Sequence, residues 1–180
     1  MAEVLVLVDH VDGTPKKASY ELLTLARSLG EASAVVLGKG AAAAAEKVGA
    51  YGPAKVYVSE AAELSDFLVG PKASLLAQLV TDKSPAAVLI PSNAEGKEIA
   101  ARLAVNTGSG LLTDAVGTTP EFVAEQQIFG GAVTSLSKVA TGTPITTGRP
   151  NRPAPADAAG AAPIAPATAP SSPADTAFPA

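Results

Sequence analysis

Near the start of the chain stand five consecutive apolar residues, Val4-Leu5-Val6-Leu7-Val8, with no polar residue alternating among them. A strand with one wet face alternates, so this unbroken run predicts a strand covered on both faces. Three further short runs, Ser33–Leu37, Lys55–Val58 and Ala87–Ile90, are the next strand candidates. Helical segments separate them. Ala18, Leu22, Leu25 and Leu29 recur at helical spacing, with Thr14-Pro15 expected to cap and open that helix and Gly30 to end it. Ala41–Val48 suits a helix stopping near Gly49. Glu63 and Asp66 divide two more helical stretches, the second being Lys72–Thr81, and Lys97–Val105 predicts another. This strand–helix alternation predicts a three-layer α/β/α sandwich with a mostly parallel sheet and right-handed crossovers.

The texture changes after Thr107. Leu111–Val116, Phe122–Ile128, Ala132–Val139 and Ile145–Thr147 read as strands, with Gly130-Gly131 permitting a tight connection. Neither face of Ala132–Val139 is cleanly apolar, which suits a peripheral strand. A small antiparallel addition to the sheet is expected here. The last 31 residues, Pro150–Ala180, hold eight Pro and twelve Ala. Proline removes amide donors and blocks a helix, so residues 1–149 are expected to form the domain and 150–180 an extended or disordered linker, with Phe178 as its one aromatic side chain.

Composition narrows the function classes. The chain is 47% apolar but has only four Phe, three Tyr and no Trp, so its core must be built from Ala, Val, Leu and Ile. A formal charge of −4 without a basic block argues against nucleic acid as a partner. One His and no Cys exclude the usual His/Cys metal clusters, disulfides and thiol catalysis. The N-terminal apolar run is too short for a signal-peptide core or a membrane span. An integral membrane protein is therefore not expected, and the cytoplasm is the expected location.

Four stretches raise questions of chemistry. PSNAEGKEIAARLA, residues 91–104, follows a strand and contains Gly96-Lys97. A triphosphate-binding loop needs GxxxxGK[ST]; here Pro91 replaces the first Gly and Glu98 the Ser/Thr, so the match fails twice. Ser92 or Asn93 can cap a helix and Glu95 suits its positive end, with anion binding as the alternative. VLVDHVDGTP lacks a GxGxxG turn, and Asp9, His10 and Asp12 lack metal-motif spacing; Asp9 alone or with Asp12 is a candidate ligand or base, against a plain turn with Gly13. Gly38-Lys39-Gly40 is a turn or a phosphate contact. Ser109, Thr113 and Asp114 supply hydroxyls and a carboxylate, but nothing places His10 against them, so no triad is supported. Gln126-Gln127 and Asn106 are hydrogen-bonding side chains without a specific pattern. An enzyme using Asp9, His10 or Asp114, and a stand-alone nucleotide or anion binder, remain as alternative readings.

In order and spacing the elements resemble the N-terminal domain of the electron transfer flavoprotein alpha subunit over about residues 3–152. The resemblance runs through VLVLVDH, LARSLG and VVLGKG to AAVLIPSNAEGKEIAARLAVNTGSGLLTDAV. Gly96, Lys97, Arg102, Leu103, Ala104, Thr113 and Asp114 match the family pattern there, followed by IFGGAVTSLSKV and ITTGRPN. Polar EQQ at 125–127 departs from the basic residue and proline more usual in the family. The resemblance implies an adenine nucleotide alpha-hydrolase-like fold and a heterodimer with a beta subunit. It also implies FAD in the complete protein, accepting electrons from acyl-CoA or other dehydrogenases and passing them to a quinone oxidoreductase. The family's flavin contacts lie in its C-terminal domain, in Gly/Arg-rich, Ser-Arg and Gln-x-Gly-x-Thr-Gly segments that do not occur in these 180 residues. No catalytic, cofactor-binding or metal residue is therefore carried over. FAD is not expected to be held tightly by this chain alone. The tail falls where the family joins its two domains, so the expectation is a shortened or single-domain form that is not an enzyme by itself.

Overall fold

The computed structural model describes residues 2–151, 154–158 and 163–168. Strand β1, Glu3–Val8, is buried from Val4 onward. Its alternate residues serve two cores. Leu5 and Leu7 face one side of the sheet, Val4, Val6 and Val8 the other. That two-sided demand explains the run without polar alternation.

The strand β2, His10–Val11, pairs antiparallel with β3, Thr14–Pro15, across a two-residue turn in which Asp12 and Gly13 have φ of 45° and 74°. Thr14-Pro15 therefore does not open the helix, which corrects the sequence expectation. Asp-Gly is the dipeptide that such a primed turn favours, and it captures Thr14 for the hairpin. Helix α1, Lys17–Leu29, begins after it and stops at Gly30. Then come β4 (Glu31–Leu37), α2 (Ala41–Gly49), β5 (Lys55–Ser59), α3 (Glu63–Asp66), α4 (Gly70–Lys83), β6 (Ala87–Pro91) and α5 (Ala94–Thr107). The second half holds β7 (Leu111–Thr118), β8 (Val123–Ile128), β9 (Val133–Lys138), β10 (Ile145–Gly148) and β11 (Ile164–Pro166).

Among the described residues these strands form a sheet of nine in the order β11-β5-β4-β1-β6-β10-β7-β8-β9, beside the small β2–β3 pair. All its neighbours are parallel except β7–β8 and β8–β9. Helices α4 and α5 cover one face through Leu75, Leu76, Leu79, Ile99 and Leu103; α1 and α2 cover the other through Leu22, Leu23, Ala26, Ala44 and Val48. The domain is thus a mixed α/β sandwich with a largely parallel sheet flanked by helices. Each fully buried Leu or Ile contributes about 1.5–3 kcal/mol of apolar burial, and the alanines of α2 let it lie close on β4 and β5.

The antiparallel addition is confined to β8 and β9. Strands β7 and β10 join the parallel sheet, and β10 lies between β6 and β7 with all four residues buried. This corrects the expectation that Ile145–Thr147 belongs to the antiparallel addition. Its short polar-looking sequence hides a central strand because the Thr146 and Thr147 hydroxyls are buried rather than solvated. Within 150–168, β11 pairs parallel with β5, and Ala156 and Ala158 hydrogen-bond to α1 and to the end of α2. Phe178 lies outside the described residues.

Candidate functional site

Strand order reverses at β1: β4 and β5 lie on one side of it and β6 on the other. In parallel sheets the loops at such a reversal diverge and leave a crevice at the C-terminal strand ends. Here that crevice is a cleft of about 630 Å³, lined by Asp9 and His10 after β1, Gly38 and Lys39 after β4, Phe67 to Val69 before α4, and Asn93 to Gly96 at the start of α5.

The ionised groups around it are mostly paired. Lys16 Nζ lies 2.9 Å from Asp9 Oδ2, Lys72 Nζ 2.5 Å from Glu95 Oε1, and Arg102 Nη2 2.9 Å from Glu98 Oε1. Asn93 Nδ2 donates to Asp9 Oδ2 at 2.6 Å. His10 Nε2 donates to the Leu37 carbonyl at 3.0 Å, and its buried Nδ1 has no partner among the described residues. Asp12 lies in the exposed β2–β3 turn. Among the described residues no group of three His, Cys, Asp or Glu could hold a metal ion.

Gly96-Lys97 has a structural explanation in each residue. A Cβ on Gly96 would collide with the Pro91 carbonyl, so glycine is what lets α5 start close against the end of β6. Asn93 is the cap: its Oδ1 accepts from the Gly96 amide at 2.7 Å. Lys97 turns away from the cleft and donates to Asp114 Oδ2 at 2.8 Å. Gly38 and Gly40, at φ of 94° and 82°, form the turn between β4 and α2.

Asp114 is the centre of a closed hydrogen-bond ring that sequence spacing did not predict. Its amide donates to Thr147 Oγ1 at 3.0 Å, the Thr147 and Ser92 hydroxyls are 3.0 Å apart, and Ser92 Oγ donates to Asp114 Oδ1 at 2.5 Å. The ring ties the end of β6 to Thr147 of β10 and to the middle of β7, with Asp114 at φ of 57° beside an irregularity in the β7 ladder. Hydrogen bonds from Lys97 and Ser92 hold its carboxyl below the usual carboxylate range. A carboxylate so stabilised is a poor base, and His10 is engaged at Leu37. No triad forms. Ser109 Oγ accepts from the Thr143 amide and serves a turn. Gln126 Nε2 donates to the Thr113 carbonyl, the Gln127 carbonyl accepts from Arg149, and Asn106 is exposed.

The β8–β9 hairpin supplies a surface of another kind. Of the residues in its two strands only Ala124 is buried. Ile128 and Val133 pair across the ladder at its end, 44% and 45% exposed, Phe129 at the turn is 82% exposed, and Leu136 on the opposite face is 70% exposed. Apolar side chains on both faces of a projecting hairpin cannot all be buried by the domain's own layers. The period-2 pattern of AVTSLSKV carried a hint of this, since it showed no inner face.

The cleft does not fit a flavin dinucleotide. That cofactor brings two ring systems joined by a diphosphate, whereas the lining offers Lys39 as its one cation without an ion-pair partner among the described residues, beside Asp9, Glu95 and Glu98.

A family model described as the electron transfer flavoprotein domain matches residues 4–172. The chain is 47% identical over 151 residues to an electron transfer flavoprotein subunit alpha of Mycobacterium tuberculosis, covering 83% of this chain and 48% of that protein. The corresponding protein of Mycobacterium leprae is 42% identical over the same shares, and that of Syntrophomonas wolfei 35% identical over 64% of this chain and 37% of its own. The chain spans about half the length or less of these curated relatives. It belongs to the electron transfer flavoprotein family, as the N-terminal domain of an alpha subunit.

Proposed function

We propose that this chain is the structural and partner-binding domain of an electron transfer flavoprotein alpha subunit, and that the β8–β9 hairpin is where a beta subunit docks. In complete form such a protein would carry electrons through FAD from acyl-CoA or other dehydrogenases to a quinone oxidoreductase. This domain would act in the cytoplasm, contributing assembly rather than redox chemistry, because its cleft does not fit the flavin. On this reading the layering is that of the adenine nucleotide alpha-hydrolase-like fold, with residues 1–149 as the folding unit and 150–180 as a linker that lays β11 back along β5. Among the described residues no helix is long and apolar enough to cross a membrane.

The observation that carries the reading is the apolar hairpin: Ile128, Phe129, Val133 and Leu136 are exposed together at one end of the sheet. Burying exposed aromatic and aliphatic side chains at the centre of an interface is what drives stable association. Sedimentation velocity of the chain mixed with its beta subunit tests it. A one-to-one complex is expected, and the double variant Phe129→Ser, Leu136→Ser should sediment as a free monomer while keeping its thermal midpoint. A complex indifferent to both substitutions would remove the hairpin from the interface.

A further inference from the structure

A sheet with two open edges can add a chain at either, because edge strands recruit partners through unpaired N–H and C=O groups. Here the edge far from the β8–β9 hairpin is covered, and the described residues after β10 reach it on fixed contacts. The Asn151 amide donates to the buried Glu21 carboxylate at 2.7 Å, and Lys17 Nζ donates to Asn151 Oδ1 at 3.0 Å. Further along α1, the Ala156 amide donates to Thr24 Oγ1 at 3.0 Å and Arg27 donates to the Ala156 carbonyl at 2.8 Å. Glu21, Thr24 and Arg27 recur every three residues, so they form one stripe of the helix. The Ala158 amide then donates to the Ala50 carbonyl, at a point where a Cβ on Gly52 would collide with Ala158.

Strand β11 completes the path on β5. Val56 donates to the Pro163 carbonyl at 3.0 Å and Ala167 to the Val58 carbonyl at 2.8 Å. In this parallel register residues 163, 165 and 167 turn their backbone groups to β5, while 164 and 166 turn theirs outward. The outward position 166 is proline and has no N–H to offer a further strand. Beneath it, β5 reads Lys-Val-Tyr-Val-Ser, rich in β-forming residues and free of proline; its one charge, Lys55, is taken up by Glu3 and Glu31. Stripped of β11, it would keep none of the usual protections of an edge strand. We propose that the segment carrying β11 is an autoinhibitory strap: latched along α1, it occupies the β5 edge and keeps two copies of the chain from pairing there. A two-fold axis at Tyr57 would set β5 antiparallel to β5 of the second copy, a self-complementary pairing that closes as a dimer.

The full 180-residue chain carrying Thr24→Ala, Arg27→Ala and Ala167→Pro tests this, since it loses three strap contacts that lie outside both cores. Circular dichroism verifies its fold. In dilute solution the Val56 and Val58 amides should exchange hydrogen about tenfold faster than in the parent chain. Sedimentation equilibrium should show a dimer forming as concentration rises towards about 1 mM, with the parent monomeric over the same range. Protection at Val56 and Val58 should return as that dimer forms, which marks β5 as the seam. Unchanged exchange at Val56 and Val58, a released strap without a dimer, or a parent that dimerises equally well would each overturn the proposal. Adding Phe129→Ser and Leu136→Ser should leave the dimer intact. A dimer abolished by those two changes would run through the hairpin and overturn it, so this outcome is separate from the docking of a beta subunit.

Discussion

Asp114 shows how a residue that looks catalytic becomes structural once its partners are known. A carboxyl whose folded pKa is lowered stabilises the native state above its unfolded value, near 3.9, and that contribution is lost as pH falls through the folded value. Asp114→Asn keeps the positive-φ backbone but removes the charge held by Lys97. Its thermal midpoint should lie below that of the parent at pH 7, with the two curves converging below about pH 4. A difference independent of pH would mean that shape rather than charge matters there. Tyr57 runs the other way. Burial first, then the Glu3 carboxylate that accepts its hydroxyl at 3.1 Å, push the phenol up to about 12. A raised phenol holds its proton better when folded, so its contribution is complete below pH 10 and lost between about 10 and 12. Tyr57→Phe should flatten the alkaline fall in stability, as read by unfolding midpoints. Gly96→Ala drives a methyl into the Pro91 carbonyl; α5 must shift off β6, at a cost of about 3 kcal/mol in urea unfolding.

At the scale of elements, the parallel core was legible because a strand buried on both faces has no choice but to be continuously apolar. Val4–Val8 and Ala87–Ile90 say so directly. Helix α1 was legible from Leu22 and its neighbours, but its start was not, because Asp12-Gly13 makes a hairpin that competes for Thr14. That dipeptide was the available signal. Strand β10 was hidden for another reason: the Thr147 hydroxyl is satisfied by partners distant in sequence, Ser92 and the Asp114 amide, so polarity did not mean exposure. The Asp114 ring was illegible on the same ground, being assembled from three segments far apart in sequence. The cleft residues Asp9, Lys39 and Asn93 all stood out singly in the sequence, and only the strand order brings them together. The β8–β9 hairpin makes an element-scale prediction. Replacing Phe129 and Leu136 by Ser should change stability by less than about 0.5 kcal/mol, as expected for exposed positions; a large loss would show that they pack on the domain itself.

Over the whole molecule, the described residues between 150 and 168 tie distant parts of the body together. The Asn151 amide donates to the buried Glu21 carboxylate at 2.7 Å, Arg27 donates to the Ala156 carbonyl at 2.8 Å, and β11 covers the edge of β5. Ending the chain at Arg149 should leave a folded domain destabilised by about 2 kcal/mol, the worth of a few hydrogen bonds net of the entropy regained. Complete unfolding would mean that the folding unit extends past residue 149. With one sheet edge covered by β11, the other ends in β9, whose outward backbone groups and apolar neighbours are open to a second chain. Hydrogen–deuterium exchange of this chain with and without its beta subunit tests the docking account most directly. It predicts new protection concentrated in the amides of 123–138. Protection gathered instead around Asp9, Lys39 and Glu95, with 123–138 exchanging as in the free chain, would contradict it.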